Sequence, residues 1–394
     1  MEDTRIPVWL DCDPGHDDTF AILLAAYHPA IRILGVSTVF GNASLEKTTY
    51  NATSILTAIG KSHQIPVYVG ASKALFRPPM HAPTDIHGET GLDGTSLLPP
   101  PTVPPNTSVP AIDAAYAALK ACPPGTAWVV ATGAFTNAAA LFIKYPELVP
   151  HLAGLSLMGG ALGNNFTPAV LGQVDGVPRV GNWTQFAEFN VIADPEAAQS
   201  IFSNKNLAAK TTLIPLDVTH LCLTTEQVQD LILYGPDYPA SQKTGKGKTE
   251  LRQMLVELLM FFAKTYSDVF GITEGPPLHD PLAVAAVLTG VGEQHEIPFY
   301  DRDPSAETGL STGQIQRERY EVSVVTEGTY EEAVAGARTG QITARLLPPG
   351  EEGVRIPRGL DLPLFWKVLE ECVSRADEAN AAAAAVAGSV AEAA

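Results

Sequence analysis

The sequence is short of cysteine, of basic charge and of long apolar runs, and each shortage removes a class of protein. Only four cysteines (Cys12, Cys122, Cys222 and Cys372) occur in 394 residues; they lie far apart and form no Cys-x-x-Cys pair. Zinc ribbons, disulfide scaffolds and thioredoxin-like redox chemistry lose their support. Lys and Arg number 25 against 43 Asp and Glu, a formal charge of −18. Phosphate backbones are gripped by clustered cations that release counterions, so no nucleic-acid partner is expected. No stretch approaches the ~18 apolar residues of a membrane span. The acidic start Met1-Glu2-Asp3-Thr4-Arg5 leads into a strand pattern rather than a secretory leader. What is present is a chain with 45% hydrophobic and 17% charged residues, the balance of a large buried core. The expectation is a reduced, cytoplasmic globular protein with no membrane partner.

Strand-like apolar runs alternate with segments of helical period. Strands are expected at 6–10, 31–39, 66–70, 128–131 and 155–158, and helices at 17–27, 45–59, 111–119 and 136–143. This rhythm predicts an α/β fold: a single-domain, Rossmann-like, mostly parallel sheet flanked by helices. Ligands of such sheets bind beyond the carboxyl ends of the strands. The stretches 76–94, 98–110, 163–182 and 235–248 exceed the usual connection of ~4–6 residues and read as functional loops or surface insertions. Residues 1–376 are expected to form the domain, and the Ala-rich segment 377–394 a disordered tail.

The strongest chemical signal is Asp11-Cys12-Asp13-Pro14-Gly15-His16-Asp17-Asp18. Asp11 and Asp13 fall on one side of an extended segment, Pro14-Gly15 turns the chain, and Asp17 and Asp18 enter the first turn of a helix. Capping explains any one of these aspartates but not four, because crowded carboxylates repel one another unless a cation neutralises them. Hard oxygen donors of this kind favour Ca²⁺ or Mg²⁺.

This opening stretch resembles the signature of the nucleoside hydrolases of the inosine–uridine-preferring type. Further resemblances follow in family order: Thr38-Val39-Phe40-Gly41-Asn42, His87-Gly88-Glu89-Thr90-Gly91, Thr132-Gly133 with Thr136-Asn137, Met158-Gly159-Gly160, Gly181-Asn182, Ala187-Glu188-Phe189-Asn190 and His279-Asp280-Pro281. The resemblance implies an N-ribosyl hydrolase that cleaves ribonucleosides, uridine or inosine among them, to free base and ribose for salvage. It implies one Ca²⁺ held by Asp13, Asp18, the Thr132 carbonyl and Asp280, with Asp13 also the general base toward an activated water. Asp17, Asn42, Asn182, Glu188 and Asn190, with Met158 alongside, would hold the ribose, and the surrounding negative charge would stabilise an oxocarbenium-like ribosyl cation. His279 is the first candidate to assist the leaving base and His87 the second. Tyr266 and Phe262 would face the base, although their spacing also fits a helix packing stripe. A homodimer or homotetramer is likewise implied.

Five of the other histidines, His16, His28, His63, His151 and His295, read as ordinary surface or core residues. Asp11 reads as a support for its neighbours through backbone hydrogen bonds. Two other readings compete. Asp11-Cys12-Asp13 after a strand also suits an aspartate-dependent phosphatase, but Pro14-Gly15 and two more aspartates would repel a phosphate. A non-catalytic nucleoside- or ribose-binding protein on the same fold would be expected to lack the base or a metal ligand, and all are present.

Overall fold

The computed structural model describes residues 3–79, 84–239, 241, 243–292, 294–302 and 317–392. Residues 80–83 of the 76–94 stretch, 240 and 242 of the 235–248 stretch, and 393–394 lie outside the described residues. Six strands form one sheet: β1 (Ile6–Cys12), β2 (Ile31–Thr38), β3 (Val67–Val69), β4 (Trp128–Ala131), β5 (Gly154–Met158) and β6 (Thr211–Ile214). Their order is β3-β2-β1-β4-β5-β6, and every neighbouring pair is parallel. The winding reverses between β1 and β4, which makes that gap the topological switch point where α/β sheets place ligands.

The helices that matter for the site are α1 (His16–Tyr27), α2 (Leu45–Ala58), α3 (Ala111–Lys120), α4 (Thr136–Lys144), α5 (Phe189–Ala193), α6 (Pro195–Ser203), α7 (Glu250–Phe270), α8 (Asp280–Ala285) and α9 (Leu362–Glu392). In β1 the period-2 alternation sorts the core. Val8, Leu10 and Cys12 pack with α1, α7, α8 and α9, while Trp9 faces α3, α4 and α6. Residues 7–12 are all buried, as a central parallel strand covered on both faces requires. Helix α1 is buried along nearly its whole circumference, which explains the unbroken apolar run 20–25. Among the described residues no helix is long and apolar enough to cross a membrane.

The tail departs from expectation. Beyond residue 377 the chain continues α9 as helix to Glu392. Alanine is the strongest helix former, so an Ala-rich stretch extends a helix that is already nucleated and docked. The docking is specific. Arg252 of α7 is fully buried and donates to Glu370 (2.8 Å), Asp377 (2.6 Å), the Ser374 hydroxyl (2.9 Å) and the Ile232 carbonyl (2.7 Å). Asn380 reaches the Ala58 carbonyl at 2.8 Å. Removing one partner of a buried ionic network strands the others, so Arg252→Ala is expected to cost about 3–5 kcal/mol. Denaturant unfolding measures this; a loss under about 1 kcal/mol would show that the network does not anchor α9.

Candidate active site

The site lies where β1, β2, β4 and β5 end. The turn after β1 gathers Asp13, Asp17 and Asp18 at the amino end of α1, where the Gly15 amide donates to Asp18 Oδ2 at 2.9 Å. Asp11 supports this turn through its backbone, as expected, its carbonyl accepting the Thr132 amide at 2.9 Å, and through its side chain as well. Its Oδ1 accepts from Ser37 Oγ at 2.5 Å and from Asn137 Nδ2 at 2.8 Å, tying β1 to β2 and α4. Asp13 is completely buried, and its Oδ2 accepts the Asn42 amide at 2.8 Å. Asn42 Nδ2 donates to the Asp13 carbonyl (3.1 Å) and reaches Asp18 Oδ2 (3.4 Å). Among the described residues Asp13 Oδ1 has no hydrogen-bond partner. Two glycines make room for this carboxylate: a Cβ at Gly41 would fall 2.0 Å from Oδ2, and one at Gly133 would fall 2.6 Å from Oδ1.

Asp17, Asp18 and Asp280 each present an oxygen within 4.8 Å of the others, the one such metal-capable group among the described residues. Asp17, counted above with the ribose ligands, thus shares this cluster, and Asp13 adjoins it through Asn42. Thr132 Oγ1 donates to Asp18 Oδ1 at 2.9 Å, and the Thr132 carbonyl accepts Asn190 Nδ2 at 2.8 Å. Burial, reinforced by mutual repulsion, pushes Asp13 and Asp280 well above the usual carboxylate range and Asp17 up to about 7. Asp18 is raised by the same burial. A divalent cation would reverse that preference and hold all four ionised. Clustered hard oxygen donors and an unpartnered, buried Asp13 Oδ1 fit such an ion.

Above the carboxylates is a cavity lined by Asp17, Asn42, Thr132, Met158, Asn182, Glu188, Asn190 and Asp280, and by the rings of His87, Phe262, Tyr266 and His279. Every site residue expected from sequence lines it except Asp13 and Asp18, which lie beneath. The polar wall is built by α5. Glu188 caps that helix, accepting from the Asn190, Val191 and Gly160 amides, and burial pushes its carboxyl up to about 7. Asn190 Nδ2 also reaches the Met158 carbonyl at 3.1 Å, and Asn182 Oδ1 accepts the Phe189 amide at 3.0 Å.

The aromatic wall comes from α7 and the turn before α8. Tyr266 OH lies 2.6 Å from His279 Nε2, and His279 Nδ1 lies 2.7 Å from Thr219 Oγ1. Both ring nitrogens of His279 are therefore engaged, and the Tyr266 hydroxyl is its outlet to the cavity. Phe262 packs against Tyr266 and His87 while lining the cavity, so the stripe and the pocket wall are the same residues.

Two histidines escape the sequence reading. His16, grouped above with ordinary residues, is fully buried and stacked on Phe261, Phe262 and His87. His220 packs against the rings of His279 and Tyr266 and contacts the Val170 carbonyl through Nδ1 at 2.8 Å. Ile86, Phe189 and Phe270 also line the cavity. The position of His16 between Gly15 and Asp17 was the available signal for it; nothing local marks His220.

An acidic floor, a polar wall and an aromatic wall suit a hydrolase acting on N-glycosyl compounds. Residues 8–367 match the inosine-uridine preferring nucleoside hydrolase family, and the chain belongs to that family. It is 39% identical to a uridine nucleosidase of Saccharomyces cerevisiae over 380 residues, 96% of this chain and 98% of that one. It is 36% identical to a pyrimidine-specific ribonucleoside hydrolase of Citrobacter koseri over 284 residues, 72% of this chain and 79% of that one. A purine-preferring ribonucleoside hydrolase from Gardnerella vaginalis shares the fold, with a TM-score of 0.71 and 24% identity over 94% of this chain and 98% of that one. The enzyme hydrolyses ribonucleosides, small-molecule substrates, and the family is metal-dependent.

Proposed function

We propose that the protein is a Ca²⁺-dependent ribonucleoside hydrolase that acts on uridine foremost and on inosine, releasing free base and ribose in a salvage role in the cytoplasm, as a homodimer or homotetramer. The observation that carries this reading is the cavity itself, with carboxylates and amides on one side and Tyr266, His279, His87 and Phe262 on the other. The names of the curated relatives support uridine as the first substrate. In this reading Asp13, Asp18, Asp280 and the Thr132 carbonyl hold the cation. When bound, the cation lowers the pKa of a nearby water and neutralises the buried carboxylates. Asp13 Oδ1, unpartnered among the described residues, takes the proton of the attacking water. Asp17, Asn42, Asn182, Glu188 and Asn190 orient the ribose hydroxyls, and their charge and dipoles stabilise the developing ribosyl cation. The departing base carries away a proton delivered through Tyr266 from His279.

Ribose release from uridine, cytidine, inosine and adenosine, before and after metal stripping, tests the proposal. Stripping is expected to remove activity, and Ca²⁺ to restore it with uridine the best substrate. Undiminished hydrolysis after thorough chelation would overturn the metal role, and a preference for adenosine would overturn the substrate assignment.

A further inference from the structure

The His16–His87 pair has a proton arrangement that its surroundings dictate. His16 Nε2 lies 2.7 Å from the Asp93 carbonyl oxygen, which can only accept, so this nitrogen carries the hydrogen. In mildly alkaline solution an imidazole is neutral and carries a single hydrogen. A neutral ring protonated at Nε2 offers a bare lone pair at Nδ1. That Nδ1 lies 2.9 Å from His87 Nδ1, so His87 must be the donor. With its single hydrogen committed to His16, neutral His87 is left with a lone pair on Nε2. That nitrogen has no hydrogen-bond partner among the described residues, and the ring lines the substrate cavity.

We infer that His16 is a positioning residue that locks His87 in the Nδ1–H form, so that His87 presents an acceptor to the imide N–H of the leaving base. The part concerning the base rests on the uridine reading above. The chemistry selects lactam bases: uracil offers N3–H and hypoxanthine N1–H, whereas a base whose imide nitrogen is alkylated offers no donor there. The lock is rigid because His16 is held on both sides. Its ring stacks on Phe261 at 5.2 Å with 7° between planes and on His87 at 5.1 Å, and the Asp93 carboxylate fastens the loop bearing that carbonyl by accepting the Glu89 amide and the Thr90 hydroxyl. A Cβ at Gly15 would meet His87 Nδ1 at 2.8 Å, so the ring packs directly on the glycine backbone.

Long-range proton–nitrogen correlation spectra of the full-length protein labelled with ¹⁵N-histidine, taken in mildly alkaline buffer, read the tautomer directly. His87 signals are identified by their loss in His87→Phe. Wild type is expected to show His87 protonated at Nδ1, and His16→Phe to shift it toward Nε2–H. His16→Asn keeps an acceptor oxygen near the Nδ1 position and is expected to restore the Nδ1–H pattern. In parallel, the wild-type preference in kcat/KM for uridine over 3-methyluridine should be about 10²-fold and fall by at least about tenfold in His16→Phe. His87 protonated at Nε2 in wild type would overturn the lock, without any variant having to fold. The expected spectra with an unchanged uridine preference in His16→Phe would overturn the base contact, while continued ribose release would leave the hydrolase reading standing.

Discussion

Asp13→Asn is expected to lower turnover of uridine by at least about 10³-fold, the range lost when a positioned general base is removed. The substitution is isosteric, so the Asn42 amide keeps an acceptor and the cradle formed by Gly41 and Gly133 stays filled. What disappears is the negative charge and the proton acceptor at Oδ1, the oxygen of this carboxylate without a hydrogen-bond partner among the described residues. Stability should not suffer. Asp13 is completely buried beside Asp17 and Asp18, and burial with their repulsion disfavours its ionised form, so a neutral amide relieves a cost in the metal-free protein. Steady-state kinetics over a wide range of Ca²⁺ concentration separate the two roles assigned to this residue. A deficit that persists at saturating Ca²⁺ identifies the base; full recovery there would reduce Asp13 to a metal ligand, and turnover within about tenfold of wild type at every concentration would remove it from both roles.

Much of this site was legible because its residues sit in short segments joining a strand to a helix. Asp13, Asp17 and Asp18 lie within six positions of one another, and the turn residues Pro14-Gly15 announce that the chain folds back there. The sheet was legible in part for the same reason: buried parallel strands are written as apolar runs, and the five expected strands agree closely with the observed bounds, while the sixth, Thr211–Ile214, opens on two threonines and was not among those expected. What stayed hidden depends on distant contacts. His16 becomes part of the site only because residues 87, 93 and 261 arrive around it from two other segments. Thr219 and His220 reach His279 from the short helix Leu216–Thr219 that follows β6, and no spacing in the chain links them. The tail misled for the opposite reason. Low complexity suggests disorder, yet alanine needs only a docked helix to extend, and Asp377 and Asn380 supply the docking. Phe262 packs along α7 and also lines the cavity, so the packing stripe and the pocket wall are not alternatives.

The second large effect concerns the leaving group. His279→Ala and Tyr266→Phe are each expected to reduce kcat on uridine by about 10²–10³-fold, while changing hydrolysis of nitrophenyl riboside by less than about tenfold. The difference follows from proton demand. Uracil expelled as an anion is a poor leaving group, whereas nitrophenolate departs without a proton, so only the first substrate needs the relay. The geometry makes a further demand. His279 has its Nδ1 turned to Thr219 and its Nε2 to the Tyr266 hydroxyl, leaving Tyr266 as the contact with the cavity. Two groups acting in series form one unit, so the double variant should be no slower on uridine than the slower single variant. Losses that multiply in the double variant would mean two independent contacts with the base rather than a chain. Equal losses on uridine and on nitrophenyl riboside would mean that neither group moves a proton and that both merely shape the wall. Burial pushes the His279 pKa well below its ordinary value, so the resting imidazole is neutral and the relay must draw on a proton taken up with the substrate.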